Sequence, residues 1–184
     1  MISSQLSALS TNQSWTDLAL DKAALNQVEE IKAWLRQSSS AKPDSRLKKK
    51  LKPGFLVLFD GPAGAGKAST AALIGQEFNK PVYKVDLSMV VSKYIGETEK
   101  NLELLFARAE DKDWILFFDE ADALFGKRTD VKDSHDKYAN QEVSYLLQRM
   151  EDYNGLVILA TNMKSNTDDA FTRRFNLILR FSSV

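Results

Sequence analysis

Two rhythms of apolar residues alternate along this chain of 184 residues. Short runs, apolar almost throughout, recur at Phe55–Phe59, Trp114–Phe118, Leu156–Thr161 and Leu177–Phe181, and a more mixed one at Val82–Asp86. Between them lie longer stretches whose apolar positions follow the helical period: Lys67–Phe78, Thr98–Ala109, Ala139–Met150 and the shorter Asp168–Arg173. Strands that stay apolar on both faces and alternate with helices predict a parallel sheet covered on both sides, an α/β fold with five strands. Upstream, Ala24, Val28, Ile31 and Leu35 predict an amphipathic helix over Asp21–Gln37, with Asp21 as its N-cap. The residues up to about Ser14 are polar and serine-rich and are expected to form a loose arm, and Ser38–Asp44 a loop. The chain thus divides into an arm (1–14), a helix with its linker (15–52) and a core (53–184).

Composition narrows the function classes. The 25 basic and 25 acidic side chains cancel, so there is no bulk attraction to nucleic acid or an anionic membrane. The basic run Arg46, Lys48, Lys49, Lys50 and Lys52 lacks interleaved aromatics and reads as a solvated segment before the first core strand. With no cysteine, disulfides, thiolate metal sites and cysteine nucleophiles are excluded, which fits a reducing compartment. The longest apolar runs are too short to span a bilayer, and the N-terminus has no basic region followed by a long apolar one. A cytoplasmic protein with no membrane partner is expected.

The chemistry gathers where strands end. Gly61-Pro62-Ala63-Gly64-Ala65-Gly66-Lys67 follows a strand and opens a helix, the context of a phosphate-binding loop. Glycines let backbone N–H groups converge on an anion, the helix N-terminus adds partial positive charge, and Lys67 would pair with the β- and γ-phosphates of ATP. The binding segment is expected to run from Gly61 through Ala68 and Ser69. One position departs from the motif: the residue after the lysine should carry a hydroxyl for Mg²⁺, and here it is Ala68. Ser69 and Thr70 follow, but each helical step turns the side chain by about 100°, so neither simply replaces it. Phosphate binding should survive; metal positioning and hydrolysis are in question. A second strand, Trp114–Phe118, runs into Asp119-Glu120-Ala121-Asp122. Asp119 at that strand end is the candidate Mg²⁺ ligand, through water, and Glu120 the candidate general base for the attacking water.

Gly61–Lys67, Phe117–Asp122, Ala160-Thr161-Asn162 and Ala170–Phe175 occur in the order and spacing of the AAA family of ring ATPases, which the chain resembles. The resemblance implies a P-loop ATPase core binding ATP or ADP with Mg²⁺, and a homo-oligomeric, hexameric ring that threads or remodels a polypeptide. It implies that Asn162 senses the γ-phosphate and that Arg173 and Arg174 reach the neighbouring subunit's nucleotide. Taken alone, two arginines at a helix end more often complement the helix dipole. Ser92–Asn101 is similar to the family's pore loop, with Lys93, Tyr94, Ile95 and Gly96 at its tip and Tyr94 and Ile95 as the gripping pair. Trp15-Thr16-Asp17-Leu18 is similar to the segment that enters such cores and lines the adenine pocket. Within the family the resemblance is nearest to bacterial members encoded with contractile-injection or phage-tail-like particles. Family members continue past the last core strand into a helical lid; with the sequence stopping at Val184, that lid is expected to be absent. The single histidine, His135, reads as a solvated loop residue. Two other readings stand beside the motor core: a nucleotide-binding assembly module without turnover, favoured by Ala68, and a DNA-handling P-loop ATPase, disfavoured by neutral charge and the pore-loop triplet.

Overall fold

The computed structural model describes residues 6–40, 54–87, 97–122, 134–162 and 169–182. In chain order these form β1 (Leu6–Ala8), a 3₁₀ turn (Trp15–Asp17), α1 (Lys22–Ser40), β2 (Phe55–Asp60), α2 (Lys67–Glu77), β3 (Val82–Asp86), α3 (Glu97–Lys112), β4 (Ile115–Asp119), α4 (Ser134–Asp152), β5 (Leu156–Thr161), α5 (Asp169–Thr172) and β6 (Leu177–Arg180). The basic run at 46–52 and the pore-loop residues Lys93, Tyr94, Ile95 and Gly96 lie outside the described residues.

The sheet runs in the order β1-β3-β4-β5-β2-β6, and every pairing from β3 to β6 is parallel. Side chains alternate across it. Leu56 and Leu58 of β2, Leu116 and Phe118 of β4 and Val157 and Leu159 of β5 face one apolar layer with Leu105 and Phe106 of α3 and Leu146 and Met150 of α4. Val57 and Phe59, Ile115 and Phe117, and Ile158 and Ala160 face the other, with Val28, Ile31 and Leu35 of α1 and Ala71 and Ile74 of α2. Both faces are therefore dry, which is why these strands read as unbroken apolar runs. Asp21 caps α1 as expected, its Oδ1 accepting from the Ala24 N–H at 2.8 Å.

The sheet has one strand more than the five expected. Leu6–Ala8, expected to be part of a loose arm, pairs antiparallel with β3 in the register Leu6↔Val85, and Leu9 N–H continues the contact to the Val82 carbonyl at 2.8 Å. The strand is held by main-chain hydrogen bonds along an edge, and these leave no apolar run in the sequence. His135, read as a loop residue, falls inside α4, which begins earlier than the apolar period indicates because its first turns are polar.

The order of strands positions the site. β2 lies between β5 and β6, and the chain leaving β2 crosses to the far side of the sheet to make β3. Such a reversal opens a crevice at the carboxyl ends of the strands. The loop after β2 and the acidic residues after β4 both lie at that edge.

Candidate functional site

The loop after β2 is shaped by close approaches that only glycine allows. A Cβ on Gly61 would lie 2.7 Å from both Cβ and the carbonyl oxygen of Phe181. Gly66 caps α2 at φ 92°, a left-handed conformation that side chains disfavour. Leu18 Cδ2 stands 3.3 Å from where a Gly66 Cβ would be, so the segment after the 3₁₀ turn abuts the start of α2. That turn is itself fastened by a capping box, Ser14 N–H donating to Asp17 Oδ2 at 2.7 Å, and Lys32 Nζ lies 4.3 Å from the Trp15 ring centroid.

Lys67 is 7% exposed and donates from Nζ to the carbonyls of Gly61 at 2.6 Å and Pro62 at 2.8 Å and to Asn162 Oδ1 at 2.9 Å. Burial pushes its ammonium down, and the carboxylates of Asp119, Asp122 and Asp60 oppose that shift. Two expected site residues on separate strands, Lys67 after β2 and Asn162 after β5, are thus in direct contact. Asp122 supports them. Its Oδ1 accepts from the Thr161 hydroxyl and, at 3.1 Å, from the Asn162 N–H, which ties the end of β5 to the turn after β4. The sequence marks Asp122 only as part of an acidic run; nothing in the spacing reveals that it fixes Asn162.

Glu120 is exposed and adopts φ 57°. A left-handed conformation at a non-glycine residue costs about 1–3 kcal/mol and recurs at functional sites. Its exposed side chain follows the strand end, where a base could meet a water.

Asp119, the expected metal ligand, is already engaged at both oxygens. Oδ1 accepts from the Glu120 N–H at 2.9 Å, and Oδ2 is 2.8 Å from Lys84 Nζ on the neighbouring strand. Ala68 offers no oxygen, and its side chain packs toward the apolar layer of α1 and α2. Thr70 does not substitute: it is fully buried and its hydroxyl donates back to the Gly66 carbonyl at 2.8 Å. Magnesium needs oxygen ligands in near-octahedral array. As placed, these side chains fit a phosphate chain and offer a divalent cation fewer ligands than the motif usually does, with a lysine already beside the one carboxylate expected to hold it.

Arg173 and Arg174 lie on the turn between α5 and β6, both exposed. Arg174 Nη1 is 3.4 Å from Glu151 Oε1, with the two side chains 40% and 31% exposed. No ion pair or hydrogen bond links either arginine to Lys67, Asp119 or Asn162 among the described residues.

A buried lysine in a glycine turn, an amide at the tip of β5 and an acidic end to β4 define a P-loop nucleotide site on an α/β sheet. Residues 57–183 match the family described as ATPase family associated with various cellular activities (AAA), and the chain belongs to it. It is 35% identical over 133 residues to the AAA family ATPase y4kL of Sinorhizobium fredii, covering 71% of this chain and 40% of that protein. It is 35% identical over 136 residues to proteasome-activating nucleotidase 2 of Halobacterium salinarum, covering 70% of this chain and 33% of the nucleotidase. The crystal structure of the FIGL-1 AAA domain superposes with a TM-score of 0.69 at 26% identity, over 97% of this chain and 58% of that one. The chain therefore spans less than two thirds of each of these relatives.

Proposed function

We propose that this chain is the nucleotide-binding core of a ring-forming AAA ATPase that couples ATP binding and hydrolysis to remodelling or threading of a polypeptide. The observation that carries the reading is the buried Lys67 ammonium, held at the mouth of the glycine turn by three oxygens that a phosphate can replace, one of them on Asn162. A related fold, the FIGL-1 AAA domain, has been crystallised in complex with ADP, in keeping with a nucleotide at this edge. In this reading Gly61–Ser69 cradles the phosphates, Lys67 and Asn162 contact them, Glu120 orients the attacking water, and Arg173 and Arg174 serve the next subunit's nucleotide. Lys93–Gly96 would grip a polypeptide in the ring's channel. Within the family we place the chain nearest to members encoded with contractile-injection or phage-tail-like particles, on the resemblance carried by its motifs. No helix among the described residues is long and apolar enough to cross a membrane. The cysteine-free sequence suits work in the cytoplasm.

Calorimetric titration with ADP and ATP tests the reading: saturable binding of one nucleotide per chain is expected, and its absence overturns it. Ala68 favours a second reading, a nucleotide-binding assembly module with little or no turnover. Phosphate release by the isolated chain, measured again with Ala68→Thr, separates the two. Slow or absent turnover is expected, and a monomeric sample running at about 1 s⁻¹ or faster, within the ordinary enzyme range, would exclude the second reading.

A further inference from the structure

Lys84 is an unusual occupant of a strand in the middle of a chain of pairings. β3 is flanked by β1 and β4, its Val82 and Val85 are buried, and a lysine between them places its ammonium 2.8 Å from Asp119 Oδ2. The cation at this end of the crevice is thus part of the protein.

A nucleotide's preference for its magnesium-bound form is set by what the protein does to the metal. Phosphate oxygens chelate the ion in solution as well as in the site. A protein prefers the chelate only through its own contacts to the ion, or because the ion neutralises carboxylates that would repel the phosphates. Here the first contribution is gone at Ala68, and the Thr70 hydroxyl is spent on the Gly66 carbonyl. The second is gone at Asp119, whose charge Lys84 already offsets. Either change alone is modest; together they weaken both routes at the residues expected to hold the metal.

We propose that Lys84 takes the place of the divalent cation at Asp119, so that this chain binds nucleoside di- and triphosphates with little dependence on Mg²⁺. The inference rests on the nucleotide-binding reading above. It is tested by titrating the chain with ATP and with ADP in millimolar Mg²⁺ and again in excess EDTA. The two affinities are expected to agree within about threefold, less than 1 kcal/mol. Lys84→Met exposes the Asp119 charge to the phosphates. It should lower the affinity in EDTA about tenfold, the scale of a charge-assisted contact, while Mg²⁺ recovers most of the loss. Lys84→Arg should restore the metal-independent binding. Wild-type binding at least about tenfold tighter with Mg²⁺ overturns the proposal, as does a folded Lys84→Met whose two affinities still agree. If Lys84→Met loses its cooperative thermal transition, the wild-type comparison decides by itself. No saturable binding under either condition would remove the nucleotide reading along with the inference, whereas binding that demands Mg²⁺ removes the inference alone.

Discussion

Lys67 and the Arg173–Arg174 pair are both cations at the working edge of one sheet, and the fold treats them in opposite ways. Lys67 is 7% exposed and satisfied by three oxygens from two strands, in a cage that Asp122 braces from behind. The arginines are exposed, and among the described residues the Arg174 guanidinium has one long ion pair, to Glu151, that water screens. A cation that serves the subunit's own ligand must be held before the ligand arrives, because ordering a long side chain at the moment of binding costs entropy. A cation that serves a neighbour has no such requirement until the neighbour docks. Placement therefore separates a lysine caged among oxygens from arginines that, among the described residues, stand exposed, as the proposed division between own and neighbouring nucleotide requires.

The contrast breaks first in an assembled ring. Replacing both Arg173 and Arg174 by alanine should lower turnover by about 10³-fold or more, the scale of arginine fingers in related phosphoryl-transfer sites. Mixing this double mutant with Lys67→Ala should restore part of the activity, because mixed rings contain some interfaces with an intact loop facing intact arginines. A two- or three-fold loss in rings verified by light scattering would assign the arginines to capping α5 and end the trans reading.

On the lysine side the effect appears in a single subunit. Lys67→Ala should weaken ATP or ADP binding about tenfold or more, since a charge-assisted phosphate contact is worth roughly 1.5–3 kcal/mol. Equal affinities in calorimetry would show that the cage holds the lysine for the fold rather than for a ligand. Asp122→Ala probes the brace. It removes the carboxylate that accepts from the Thr161 hydroxyl and the Asn162 N–H, so urea denaturation should show a loss of about 1–2 kcal/mol. A change under about 0.5 kcal/mol would mean that Asn162 is placed without it.

How much of this was legible in the sequence follows from where each interaction sits. Buried parallel strands announce themselves, because both faces must be apolar; β2, β4, β5 and β6 lie where the runs Phe55–Phe59, Trp114–Phe118, Leu156–Thr161 and Leu177–Phe181 predict, within a residue at each end. The glycine turn and Lys67 are contiguous, so their geometry is written locally. What escaped depends on contacts between strands distant in sequence. Lys84 and Asp119 are brought together only by the pairing of β3 with β4, and a lone lysine in Val82-Tyr83-Lys84-Val85-Asp86 was the one available signal. Asp122 and Asn162 meet only because β4 lies beside β5. β1 escaped for a different reason: a three-residue edge strand is held by main-chain hydrogen bonds, which leave no side-chain pattern.

The smallest expected effect is the most discriminating for the arginines, because it is a near-absence. If Arg173 and Arg174 exist for the neighbour, the subunit should barely notice their removal. The turn that carries them is held from beneath by buried Phe171 and Phe175, whose ring centroids are 5.0 Å apart. Asn176 pins it to β2, donating its N–H to the Leu56 carbonyl at 2.8 Å and accepting the Leu56 N–H at 2.9 Å. None of these contacts uses a guanidinium. The Arg174–Glu151 pair at 3.4 Å is partly exposed, and such pairs are worth about 0–1 kcal/mol. The double alanine variant should therefore lie within about 1 kcal/mol of wild type in urea denaturation, and raising the salt concentration should narrow the difference further. Phe175→Ala, which empties the packing under the same turn, should cost about 3–5 kcal/mol and shows that the measurement can detect a structural role there. A loss above about 2 kcal/mol for the arginine pair would place it with the phenylalanine, as part of the subunit's own framework, and the contrast with Lys67 would fail.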